Sequence, residues 1–475
     1  MHNSKLLRVL RQFTKSERKS FLNFISSPYH SSNTKINSLI TYLLKLIENQ
    51  IHDEHPQFNR NAIWSEITEN EPINYPYLRK IASDAIKIVE DFMIIEQLNN
   101  DVNVRTHLLL ENSKTRENKI LQDIAISRYE QNKLLFLRRR NSVNIFNTQI
   151  IKNLFILRDL DKLRYKESGI DEMIFELDKF YITEKLKLLC ELLSRNWDLD
   201  VSEFTFFKDI LNEVDNNEKF RVPSIMIYYY IYLTYSEPEQ IDYYYKLKNL
   251  LLEHYSEFDE YEAKSLFDAT LSYGIARMNK GDQDFELETL NLFKYALEHD
   301  AIILNGKIDP YSFKIIVMIG LRLSDFEWVE YFIDTYIKMI PEDDRDNSLS
   351  YNLALLNFYK KDYTKVLMLL QQIEYEDLTY NLGAKSMLLA TYYELGEFDP
   401  LFSFMDSFKV YLNRKKYKIP KNFIDGYLNL IKFTRRLMNL PVGDKIQLEK
   451  LEKDLKATND VASIKWLLEK IEQLR

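Results

Sequence analysis

The chain has 475 residues, 45% hydrophobic and 29% charged, at a net charge of −8, so it carries enough apolar material for a core and is not a disordered chain. Its 9 glycines include none before Gly169 and none set in GxxxxGK or GxGxxG, which excludes those two phosphate-loop routes to nucleotide binding. A single cysteine, Cys190, excludes an internal disulfide and a cysteine zinc cluster.

The charge is unevenly placed: residues 1–170 carry 26 Lys+Arg against 19 Asp+Glu, and the remainder 38 against 53. The basic share is densest at the start, where Lys5, Arg8, Arg11, Lys15, Arg18 and Lys19 face only Glu17. Such a cluster is either a solvated helix face or a contact for an anionic partner. The first residues lack the apolar run of about 7–15 residues that a secretory signal needs. No stretch of about 18 apolar residues exists to span a membrane, and the expected compartment is the cytoplasm.

Residues 1–99 read as a basic helical N-terminal module. Leu6, Leu7, Val9, Leu10 and Phe13 form an apolar stripe at helical spacing, and Thr14 with Glu17 forms a capping box that starts a second helix. Pro28 breaks that helix. A third helix is expected over about 35–48, a short one near 62–67 and a long one over about 77–98. The short-turn-long order is compatible with a helix-turn-helix reader of DNA, but Asp84, Glu90 and Asp91 on its last helix would repel phosphates. Residues 100–222 form a long-helix middle region, where Arg138, Arg139 and Arg140 fan around a helix rather than making one patch. Cys190 stands in the run KLKLLCELL, as a buried small apolar residue rather than a nucleophile.

From about Pro223 short helices alternate at a steady interval. Turns fall at Lys361-Asp362-Tyr363 and Gly396-Glu397-Phe398, 35 residues apart, and at Ser324-Asp325-Phe326, 37 residues before the first of these. Another lies at Asn279-Lys280-Gly281-Asp282, and a degenerate unit covers about 223–255. Leu353 and Ala354 precede one turn, with Val366, Leu370 and Ile373 after it; Leu401, Met405 and Phe408 follow another. With this period and these small, turn and aromatic positions, residues 223–412 resemble tetratricopeptide repeats. The whole chain resembles an uncharacterised Bacteroidetes family of helical-repeat proteins, through FTKSERKSFLNFISSPYHSSN, NLALLNFYKKDY and LLATYYELGEFDPLFSFMDSF. The resemblance implies an all-α fold: a right-handed α-solenoid of tetratricopeptide-like hairpins behind the N-terminal module, closed by capping helices over 413–475. It also implies that the first helix of each hairpin lines the concave face, which would turn Arg322, Tyr351, Tyr359, Tyr393 and Glu394 toward a groove.

Little in the chain suggests catalysis. His52 and His55, with Asp53 and Glu54 between them, lack the HExxH spacing and read as solvated surface, so no metal or other cofactor is expected. There is no GxSxG. Tyrosines crowd one region, at Tyr228, Tyr229, Tyr230, Tyr232, Tyr235, Tyr243, Tyr244 and Tyr245. Three adjacent tyrosines cannot share one helix face, so some meet solvent, a neighbouring hairpin or a ligand. Either they fill gaps between stacked hairpins, or Tyr229 and Tyr232 help line a peptide groove. The expectation is a non-enzymatic scaffold binding a protein or peptide. The alternative is a nucleic-acid-linked or ribosome-associated regulator that contacts phosphates through the basic N-terminal helices.

Overall fold

A computed structural model describes residues 4–51, 55–68, 71–138, 170–195, 206–370, 378–440 and 444–475. Among the described residues there are 22 α-helices and no strand, so the fold is all-α. The chain divides into two compact units, Met1–Ile182 and Thr183–Arg475.

The first unit opens with α1 (Lys5–Gln12), capped by the Ser4 side chain and burying Leu6, Leu7 and Leu10. The capping box starts α2 (Lys15–Ser26): Thr14 N donates to Glu17 Oε2 at 2.7 Å and Glu17 N donates back to Thr14 Oγ1 at 3.2 Å. Then come α3 (Thr34–Glu48), α4 (Arg60–Thr68) and α5 (Tyr75–Asn100), each within two residues of its expected span. One core joins α1 to α5, with the Phe92 ring 4.9 Å from Phe21, 5.4 Å from Phe24 and 5.7 Å from Phe13. Two further helices pack as a hairpin, α6 (Val102–Thr115) and α7 (Lys119–Arg138). Arg139 and Arg140 lie outside the described residues.

The division between the units falls inside α8 (Ile170–Arg195), and the second unit continues with α9 (Phe207–Asn216). Five helix pairs follow: α10 (Pro223–Ser236) with α11 (Ile241–His254), α12 (Glu260–Asn279) with α13 (Asp284–Glu298), α14 (Pro310–Arg322) with α15 (Phe326–Tyr336), α16 (Glu342–Tyr359) with α17 (Tyr363–Leu370), and α18 (Leu378–Glu394) with α19 (Phe398–Lys415). First helices also pack on first helices, α10 on α12, α14 on α16 and α16 on α18.

The last four pairs share one turn. Gly281, Ser324, Lys361 and Gly396 all take left-handed φ, at 94°, 60°, 62° and 72°. In each, the amide of the next residue bonds to the carbonyl five residues back: Asp282 N to Arg277 O, Asp325 N to Gly320 O, Asp362 N to Asn357 O and Glu397 N to Tyr392 O. This pattern satisfies the orphan carbonyls at the helix end while reversing the chain. Packing repeats with the turn. Five residues past the left-handed position stand Glu286, Val329, Val366 and Leu401, and nine past it stand Leu290, Ile333, Leu370 and Met405; all eight are buried. Close approach within a pair needs a small residue in the first helix. A Cβ on Gly320 would lie 2.5 Å from Val329 Cγ2, and one on Gly274 would collide with Thr289 Oγ1.

The unit closes with α20 (Lys421–Met438), α21 (Lys445–Ala457) and α22 (Ile464–Gln473), whose Leu430, Leu451, Leu467 and Ile471 join the core of α18 and α19. The connection into α22 is pinned to α20: Ala462 N donates to Gly426 O at 3.0 Å, and Asn429 Nδ2 donates to Asp460 O at 3.0 Å.

Candidate partner-binding face

The residues expected on the first helices fall into three environments. Tyr351, on α16, is 4% exposed. Its hydroxyl occupies the space a side chain at Gly383 would need, its ring meets Tyr380 edge-on at 4.9 Å, and Lys314 Nζ lies 4.9 Å over it. It fills the gap between α16 and α18 and presents almost no area to a partner.

Arg322 and Tyr359 end α14 and α16 and lie beside each other. The Arg322 guanidinium lies 3.6 Å from Glu286 Oε1, at the start of α13, and Lys465 of α22 approaches the same oxygen at 3.5 Å. Burial raises the pKa of the Tyr359 hydroxyl; Arg322 beside it pulls the other way, and Glu286 adds to the rise.

Tyr393 and Glu394 end α18, where α22 covers them. Glu394 Oε1 accepts from Trp466 Nε1 at 2.7 Å and pairs with Lys470 Nζ at 2.5 Å. The Trp466 ring stands edge-on to Tyr393, with centroids 5.4 Å apart at 89°. Ser463 Oγ lies 3.0 Å from Ser386 Oγ, eight residues before Glu394, so α22 runs alongside α18. Nearby, burial pushes the Tyr363 hydroxyl up to about 12, with the Glu394 and Glu469 charges adding to it.

Tyr229 and Tyr232 lie inside the unit. Tyr229 is 9% exposed and donates to Asp215 Oδ1 at 2.5 Å; Tyr232 is 8% exposed and packs edge-on to Phe207 at 5.2 Å. Both contacts come from α9, which covers the side of α10 that the tyrosine count alone leaves open. Tyr228, one turn before Tyr232, donates to Glu262 Oε1 of α12 at 2.6 Å; Glu262 also takes Lys187 at 3.0 Å. Burial is the largest cause raising the pKa of all three tyrosines. Tyr230 and Tyr243 are half-buried against each other, and of the eight only Tyr245 is exposed. Cys190 is buried against the Tyr228 carbonyl, and burial pushes its thiol pKa up.

In the first unit Lys5, Arg8, Lys15 and Lys19 are exposed, and none has a carboxylate within 4.0 Å among the described residues. Arg11 is half-buried, its guanidinium 5.8 Å over the Phe58 ring. Arg18 is half-buried too, with Nε enclosed and unbonded. His55 caps the short turn Pro56–Phe58, its Nδ1 accepting from Gln57 N at 3.3 Å; His52, Asp53 and Glu54 lie outside the described residues. Among the described residues no His, Cys, Asp and Glu cluster could hold a metal, and no helix is long and apolar enough to cross a membrane.

Glu286, Lys465, Trp466 and Lys470 were not anticipated from the sequence. The available signal was local: IKWLLEKIEQ sets a tryptophan four residues before a lysine on one helical face. Comparisons of the chain with family models, curated proteins and solved structures gave no match.

Proposed function

We propose that this chain is a cytoplasmic, non-enzymatic interaction scaffold. In this reading residues 223–412 form a right-handed α-solenoid of tetratricopeptide-like hairpins, and its concave face holds a protein or peptide. The observation that carries it is the shared turn at Gly281, Ser324, Lys361 and Gly396, with the buried positions that repeat behind it. A repeated hairpin cannot bury both faces alone, so stacking leaves one continuous surface for a partner. The clustering of Arg322, Tyr359, Tyr393 and Glu394 with charged and aromatic neighbours supports this face as the contact region. Affinity purification from the native cell, with the intact chain and with Arg322→Glu, tests it. A stoichiometric protein lost on substitution is the expected result; no such protein with either chain counts against the scaffold.

A second reading is favoured by the four exposed cations Lys5, Arg8, Lys15 and Lys19, which pair with no carboxylate among the described residues. They suit phosphate contacts by a nucleic-acid-linked or ribosome-associated regulator, and the salt dependence of binding tests that reading.

A further inference from the structure

The helix α22 lies on the two residues that end α18, and its manner of attachment says what that seat recognises. Lys470 is buried, yet it keeps its charge partner in Glu394, whose carboxylate also holds the Trp466 indole. A buried ion pair contributes little net stability compared with apolar packing, but it rejects any occupant without the matching charge. Among the described residues Glu394 has no cation within 4.0 Å other than Lys470. Glu286, by contrast, keeps Arg322 when Lys465 is removed. Lifting α22 away would therefore leave an anionic, aromatic-walled seat of Glu394, Tyr393 and Tyr363, and the lone carboxylate would return to water at small cost.

The connection to α22 is suited to such a release. It stays fastened to α20 through Ala462 and Asn429, while Asp460 and Ser463 hold left-handed φ of 52° and 53° and no side chain caps the start of α22. The helix can pivot beyond Ala462 while these bonds hold the connection on α20, at the cost of withdrawing Leu467 and Ile471 from the core they share with Leu430 and Leu451.

We propose that α22 is an internal ligand of this seat, and that the partner is an amphipathic helix carrying an aromatic residue four positions before a lysine or arginine, which binds by replacing it. The proposal rests on the scaffold reading of the same face and names its partner class.

The probe is a labelled synthetic peptide of residues 461–475, titrated against the full chain by fluorescence anisotropy. Wild type should bind it weakly. The full chain carrying Trp466→Ala and Lys470→Ala, with its own helix released, should bind at least tenfold tighter, and adding Glu394→Gln should reverse that gain. Equal binding by wild type and the double variant overturns the proposal. Should the double variant lose its helical circular dichroism, hydrogen exchange on wild type decides. Amides of 464–473 exchanging at least tenfold faster than those of α18 support release, whereas exchange in step with α18 means a permanent cap and overturns it. A native partner bound equally by both chains overturns the exchange while leaving the scaffold intact. A peptide that behaves as expected with no native partner found sinks the scaffold alone.

Discussion

The indole of Trp466 and the carboxylate of Glu394, 72 residues apart in sequence, meet at 2.7 Å and enclose the ammonium of Lys470 between the last helix and α18. Removing Glu394 leaves the buried Lys470 ammonium only Gln473 Oε1 at 2.8 Å and Glu469 at 3.6 Å. While the helix stays seated, the cost is therefore at most about 3–5 kcal/mol, that of a fully unpaired buried charge. Glu394→Ala should therefore undock α22 rather than strand Lys470. Its amides should exchange at least tenfold faster, while those of α14 and α16 stay unchanged. Pairing Glu394→Gln with Lys470→Met keeps the acceptor for Trp466 and the lysine's apolar stem, and should restore most of the protection. If the double variant exchanges as fast as the two single losses combined, the two side chains are not coupled.

Gly320 and Gly281 should respond to alanine for different reasons. At Gly320 the added methyl would lie 2.5 Å from Val329 Cγ2, and such overpacking costs about 1–3 kcal/mol. At Gly281 nothing lies within 4 Å, but φ is 94°, so the cost is backbone strain of about 1–2 kcal/mol. Val329→Ala should relieve Gly320→Ala and do nothing for Gly281→Ala. Thermal unfolding of the four chains checks this, and equal relief at both sites would show that Val329 is not the obstacle.

What the sequence revealed was what its neighbours could report. Thr14 and Glu17 are three residues apart, so their capping box is readable as letters and forms as written. The turns at Ser324, Lys361 and Gly396 sit at a fixed place between apolar runs, and the structure turns there. Burial that depends on distant segments was hidden. Tyr351 is internal because Gly383, in the next pair, leaves room for its hydroxyl. Tyr229 and Tyr232 are internal because Asp215 and Phe207 arrive from α9, a helix not singled out in the sequence. The seat of α22 on Glu394 likewise leaves no periodic trace, since one chain alone carries no record of which helix covers which.

The tyrosines make alkaline stability a direct test of their placement. Burial pushes Tyr363 and Tyr235 up to about 12, above the usual 10 for a phenol. The unfolded chain would lose these protons first, so the stabilisation is complete below about pH 10 and disappears as pH rises through about 12. Absorbance near 295 nm should show part of the tyrosines ionising only as the chain unfolds, and Tyr363→Phe should shallow the loss of stability above pH 10. Full ionisation of all tyrosines at their ordinary pH, before any loss of helix, would contradict the burial.

The four exposed cations of α1 and α2 can be weighed by salt alone. If Lys5, Arg8, Lys15 and Lys19 each contact a phosphate of single-stranded RNA, the logarithm of affinity should fall with the logarithm of salt at a slope of about −3, from about −0.7 per contact. Lys5→Ala with Arg8→Ala should bring the slope to about −1.4 without favouring any sequence. Arg11 should matter less, because its guanidinium is already stacked over Phe58 and half-buried. Affinity measured between 50 and 200 mM salt separates the readings. A flat response, or a slope untouched by the double substitution, would leave these residues as an ordinary solvated helix face and remove the nucleic-acid reading.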